Sequence, residues 1–151
     1  MSSDLQELYQ EIVMEHNRKP RNFRKMNNPT CSANGHNPFC GDNITLFINL
    51  KDDKIEDIAF QGSGCAISRA SASLMTEAVK GYSTNEAEGL FETFRTMVTE
   101  GPSEGSKDEE ALGDLAVLAG VHEFPTRVKC ATLAWHALHG ALNGKKKVSS
   151  E

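Results

Sequence analysis

The chain has 151 residues, 38% of them apolar and 25% charged, which suits one domain over residues 1–151 with a buried core and excludes a chain disordered as a whole. No apolar run approaches the roughly 20 residues that span a bilayer, and a formal charge of −5 argues against nucleic acid as the main partner. The acidic start at Met1–Gln10 resembles neither a secretory signal nor an Arg-rich transit peptide, so a cytoplasmic protein is expected, and its four cysteines point to metal or sulfur chemistry rather than to disulfides.

Asp4–Asn17 reads as a helix, with Leu5, Leu8, Tyr9, Ile12, Val13 and His16 at helical spacing. Arg18–Asn28 is basic, contains Pro20 and reads as a surface loop. In Pro29–Phe39, proline, glycine and asparagine predict a loop or a short edge strand around Cys31, His36 and Pro38. Cys40-Gly41-Asp42 follows. Alternate residues of extended backbone share a side, so a thiolate and a carboxylate two apart can face one ion. A turn leading into a strand accounts for the triplet equally well.

Ile44–Leu50 alternates, with Ile44, Leu46, Ile48 and Leu50 on one face and Thr45, Phe47 and Asn49 on the other. A charged turn at Lys51–Lys54 leads into Ile55–Phe60, the return strand of a hairpin. Gly62-Ser63-Gly64-Cys65 then turns the chain into a helix that runs to Lys80 and stops at Gly81. Its small residues, Ala66, Ala70, Ser71, Ala72 and Ser73, allow close approach of another group. Cys65 lies at the helix start, where partial positive charge favours a thiolate.

Ser83 and Glu86 form a capping box ahead of a helix with the apolar face Ala87, Leu90, Phe91, Phe94, Met97 and Val98, ending near Glu100. Gly101–Glu110 is a polar, flexible loop, Leu112–Ala119 a short apolar helix, and Gly120–Phe124 a return. Pro125 opens a last helix with Val128, Ala131, Thr132, Trp135, Leu138, His139 and Leu142 in a stripe. Cys130 sits near its start beside Arg127 and Lys129, whose charges also favour a thiolate. Asn143–Glu151 reads as a frayed basic tail. The order helix, loop, hairpin, helices predicts an α+β fold, a small antiparallel sheet packed on one side by helices.

Cys40, Cys65 and Cys130 thus share a setting at element starts, with Asp42 beside the first. Three thiolates and a carboxylate suit tetrahedral zinc, and equally an iron–sulfur cluster. The spacings, 25 and 65 positions, match no zinc-finger pattern.

Three segments carry a resemblance: Asn37-Pro38-Phe39-Cys40-Gly41-Asp42, Gly62 through Ser73, and Lys129-Cys130-Ala131-Thr132-Leu133-Ala134-Trp135. Together they resemble the iron–sulfur cluster assembly family of NifU N-terminal, IscU and SufU proteins, whose SufE/NifU-like fold is a small antiparallel sheet packed by helices. The chain is more similar to the SufU type. Lys129 stands where IscU-type chains have His, and Phe124-Pro125-Thr126-Arg127-Val128-Lys129 departs from their Leu-Pro-Pro-Val-Lys motif. Gly101–Gly120 resembles the SufU-type insertion.

The resemblance implies zinc held by Cys40, Asp42, Cys65 and Cys130, and a role as sulfur acceptor for a SufS-like cysteine desulfurase of the SUF system, with SUF scaffold proteins as further partners. It makes Cys40 the persulfide acceptor, freed when a partner His takes its zinc position, and Arg127 a candidate to support the site or a persulfide anion. The alternative is an IscU-like scaffold that assembles and transfers a transient 2Fe–2S cluster on the same residues. Lys129 argues against that, since lysine is a poor fourth donor, although Asp42 can supply one. A structural zinc is the third reading. Cys31 lies outside the motifs and reads as a loop thiol. His36 is an auxiliary ligand or an ordinary strand residue. His122 reads as a loop residue, His136 and His139 as packed or solvent-facing side chains, and Trp135 as core.

Overall fold

The computed structural model describes residues 3–38, 40–101 and 111–149. Helix α1 (Ser3–Arg18) is followed by strands β1 (Cys31–Asn37), β2 (Asp42–Lys51) and β3 (Lys54–Ser63), then helices α2 (Ala66–Val79) and α3 (Thr84–Glu100). A 3₁₀ segment (Gly113–Glu123), helix α4 (Pro125–Leu142) and strand β4 (Lys147–Ser149) complete the order. No helix among the described residues is long and apolar enough to cross a membrane.

The α+β architecture is the predicted one, and the sheet runs β3-β2-β1-β4. The first three strands are antiparallel, from Asn37 opposite Asp42 to Cys31 opposite Ile48 and, across β2–β3, Leu46 opposite Phe60. Alternation decides their faces: Ile44, Leu46 and Ile48 are buried, while Thr45, Phe47 and Asn49 are half-exposed. The buried face meets α2 and α4, and the other carries polar pairs such as the Asn34 amide donating to Asn43 Oδ1 at 2.7 Å. The two-residue hairpin turn places Asp52 and Asp53 at φ 53° and 62°, the left-handed conformation that such turns need.

Three expectations are corrected here. The strand within the predicted loop or edge segment, Cys31–Asn37, is not an edge. β1 occupies an interior position between β2 and β4, with Ala33, Gly35 and Asn37 buried. Small and polar inward residues gave no hydrophobic alternation to detect. The C-terminal stretch is not wholly frayed either, because β4 pairs in parallel with β1, making the sheet mixed. The apolar stretch after residue 111 forms 3₁₀ turns through Glu123 rather than ending at Ala119. The predicted loop over residues 102–110, and with it half of the proposed insertion, lies outside the described residues.

The core is where the stripes meet. Trp135 of α4 is fully buried and stacks on Phe94 and Phe91 of α3, with centroids 4.8 and 6.0 Å apart. The Ser83/Glu86 capping box closes the start of α3 as expected. The segment before β1 is tied down: Arg24 N–H donates to Phe60 O, and Phe60 N–H to Asn22 O, which covers the outer edge of β3. α1 is fastened to α2 by Asn17, whose amide donates to Ala66 O at 2.8 Å, and by buried His16, whose Nδ1 lies 2.6 Å from Ser73 Oγ.

Candidate metal centre

Three junctions meet at one end of the sheet: the β1–β2 turn, the passage from β3 into α2, and the first turns of α4. The first carries Cys40 and Asp42. These two converge by a turn rather than by strand alternation, because Gly41 adopts φ 70° and reverses the chain ahead of β2. Asp42 then opens β2 on its buried face, with no solvent exposure, while Cys40 stays exposed on the turn. The second junction makes Cys65 the N-cap of α2, where its sulfur accepts from Ser68 N–H at 3.4 Å. The third brings Cys130, buried on α4, to within 3.3 Å of the Cys40 sulfur across 90 positions of chain.

Asp42 is held from several sides. Cys65 N–H donates to Oδ1 at 2.8 Å, and the Asn37 amide donates to Oδ2 at 3.2 Å. The Cys65 sulfur stands 3.9 Å from Oδ2. Gly64 leaves room for the carboxylate, since a Cβ there would fall 2.5 Å from Oδ1. Cys40, Asp42 and Cys130 each place a ligand atom within 4.8 Å of the others. Cys65 stands outside that group and its sulfur adjoins it at Asp42 Oδ2.

The electrostatics favour a cation. Burial pushes the Cys130 thiol far above its ordinary range, and bonds with Cys40 and Cys65, the charge of Cys65 and a bond with Asp42 push it further. Three sulfurs and a buried carboxylate cannot all be anionic side by side without a positive charge among them. A divalent ion supplies that charge, and three sulfurs with one oxygen match zinc's tetrahedral preference. The donor set therefore fits zinc.

The remaining candidates are not among the grouped donors. The Arg127 guanidinium sits 4.3 Å above the Phe124 ring, and its charge reaches Tyr9 of α1, as does that of Cys65. Burial dominates at Tyr9 and raises its pKa. His36 is exposed on the sheet face opposite Asn37, which removes it from the cluster. Cys31 is half-buried at the other end of β1, its thiol raised by burial. His139 contacts Glu88 at 2.7 Å, and His136 lies edge-on to Phe91. The sequence reading missed Asn37, which bonds both Asp42 and Cys130. Its signals were an inward alternation of Ala33, Gly35 and Asn37, residues that also suit a loop, and its place at the head of the Asn37–Asp42 segment.

The family described as NifU-like N terminal domain matches residues 8–142. The chain is 44% identical over 140 residues to an iron–sulfur cluster assembly scaffold protein IscU of Streptococcus pyogenes serotype M1, covering 93% of this chain and 86% of that one. It is 42% identical over 137 residues to a zinc-dependent sulfurtransferase SufU of Bacillus subtilis strain 168, covering 91% and 90%. Among solved structures, a candidate iron–sulfur cluster assembly scaffold protein for the SUF system from Fervidobacterium islandicum AW-1 superposes with a TM-score of 0.81 at 33% identity, over 89% of this chain and 96% of that one.

Proposed function

The chain belongs to the NifU-like N-terminal domain family, and from that premise we propose that it serves iron–sulfur cluster assembly as a zinc-dependent sulfur acceptor for a cysteine desulfurase. One observation carries the reading. Cys40 and Cys130 lie 3.3 Å apart, yet Cys40 is exposed on a turn while Cys130 is 3% exposed inside α4. A reachable thiol beside a buried one is what a sulfur acceptor on a retained metal requires. The SufU relative's name supports the zinc and the sulfur transfer.

Cys40, Asp42, Cys65 and Cys130 are the residues that would hold zinc. When bound, zinc supplies the positive charge that keeps the thiols deprotonated. Sulfur transfer then needs Cys40 free as a thiolate. Its sulfur attacks the outer sulfur of the desulfurase persulfide, the S–S bond there breaks, and the desulfurase cysteine leaves as a thiolate. Cys40 now carries the persulfide. Cys65 is held at the helix start and Cys130 is buried, so neither can approach a partner as Cys40 can. Arg127, at the exposed start of α4, is the cation we assign to supporting a persulfide anion on this side.

The test is metal analysis joined to desulfurase stimulation. The protein should purify with about one zinc per chain and accelerate a SufS-like desulfurase. Cys40→Ala should abolish stimulation and keep much of the fold, because water can take a vacated position. Cys65→Ala and Cys130→Ala should lose zinc and stimulation together. Chelation should silence the wild type, and added zinc should restore it. Full stimulation by the metal-free protein would sink the proposal. A cluster built from iron and sulfide that passes to an apo-protein would replace it with the scaffold role named for the IscU relative.

A further inference from the structure

Asn37 ends β1 in register with Asp42 and has no solvent exposure. Its side-chain amide donates in two directions, to Asp42 Oδ2 at 3.2 Å and to Cys130 Sγ at 3.6 Å. The other Asp42 oxygen is taken by Cys65 N–H. Two of the four proposed ligands are therefore tied to one another through a single buried amide. Cys40, next to Cys130, sits on the turn beyond this tie.

We propose that Asn37 is a positioning residue that decides which of two adjacent thiols stays at the metal. This rests on the zinc reading above and goes beyond it. An N–H donor draws charge from a coordinated thiolate, orients its lone pairs and makes it a poorer nucleophile. Asn37 does this for Cys130 while fixing the Asp42 oxygen beside it. Both groups remain as spectators, and Cys40 becomes the thiol that is released and takes sulfur. A buried asparagine that merely satisfied its own hydrogen bonds would contribute to folding and leave the behaviour of the metal unchanged.

The experiment compares wild type with Asn37→Leu, which is of similar size and lacks the donor. Three readouts are taken at one pH: zinc affinity by chelator competition, the thiolate-to-metal charge-transfer band of the cobalt(II) form, and the cysteines alkylated by limiting iodoacetamide in the zinc form. Asn37→Leu should bind zinc about 10–100-fold more weakly, the usual loss for a partner that orients a ligand. Its cobalt band should move to lower energy, because the Cys130 sulfur becomes more electron-rich. Among the ligand cysteines, alkylation is confined to Cys40 in wild type and should spread to Cys130 in the variant. If Asn37→Leu does not fold, Asn37→Ala is read in the same way, and Asn37→Ser, which keeps one donor, should fall between it and wild type. A folded variant with wild-type affinity, band position and labelling of Cys40 alone among the ligand cysteines overturns the inference while zinc binding stands. A wild type that takes up neither zinc nor cobalt overturns the metal reading itself.

Discussion

Replacing Gly64 by alanine tests whether the seat of Asp42, rather than the mere presence of the thiols, makes the metal site. The new Cβ would lie 2.5 Å from Asp42 Oδ1, 3.0 Å from its Cγ and 3.1 Å from its Cβ. Ordinary contact begins at 3.4 Å, so the carboxylate has to retreat by about 0.9 Å. Backbone strain does not enter, since Gly64 is not among the residues of positive φ. Retreat breaks the 2.8 Å bond from Cys65 N–H and disturbs the Asn37 bond on Oδ2, at a carboxylate that has no solvent exposure. Loss of a bond to a buried carboxylate costs about 1–3 kcal/mol, and displacement of a ligand's anchor costs roughly 10–100-fold in metal affinity. Zinc affinity of Gly64→Ala by chelator competition, with a melt of the metal-free form alongside, separates the two effects. Wild-type affinity in a variant of unchanged fold would refute the reasoning, because Asp42 would then be dispensable to the site.

Two further expectations concern residues away from the cluster. Cys31 is six positions up β1 from Asn37, about 20 Å at strand rise, so Cys31→Ser should leave zinc content and desulfurase stimulation unchanged by metal analysis and activity assay. His16 is held below its ordinary 6.5 by burial, with the Arg21 charge adding and Glu77, Glu15 and Asp114 opposing. The unfolded chain therefore binds the proton more readily, and stability present above pH 6.5 is lost as pH falls toward the folded-state value. Melts of the metal-free protein should show this acid-side decline, and His16→Gln should flatten it; an unchanged slope in that variant would remove His16 as the cause.

Much of the candidate site was legible in the chain. Cys40, Asp42, Cys65 and Cys130 each stand beside a local signal, a glycine turn or a helix start, that needs only neighbouring residues to read. The β2–β3 hairpin and the faces of α3 and α4 were legible for the same reason, since periods of 2 and 3.6 report which side of an element is buried. β1 escaped because Ala33, Gly35 and Asn37 are buried without being strongly apolar, which only the helix packed over them accounts for. β4 escaped because its three residues acquire strand conformation from pairing with β1, more than a hundred positions earlier. The sequence by itself determined the candidate donors, three thiols and a carboxylate, and their placement at element ends. Tertiary structure decided that Cys130 is buried and Cys40 exposed, that Cys40 and Asp42 meet through a turn, and that Asn37 ties Asp42 to Cys130. Those are contacts across up to 93 positions, and no local period encodes the packing of one element's end against another's.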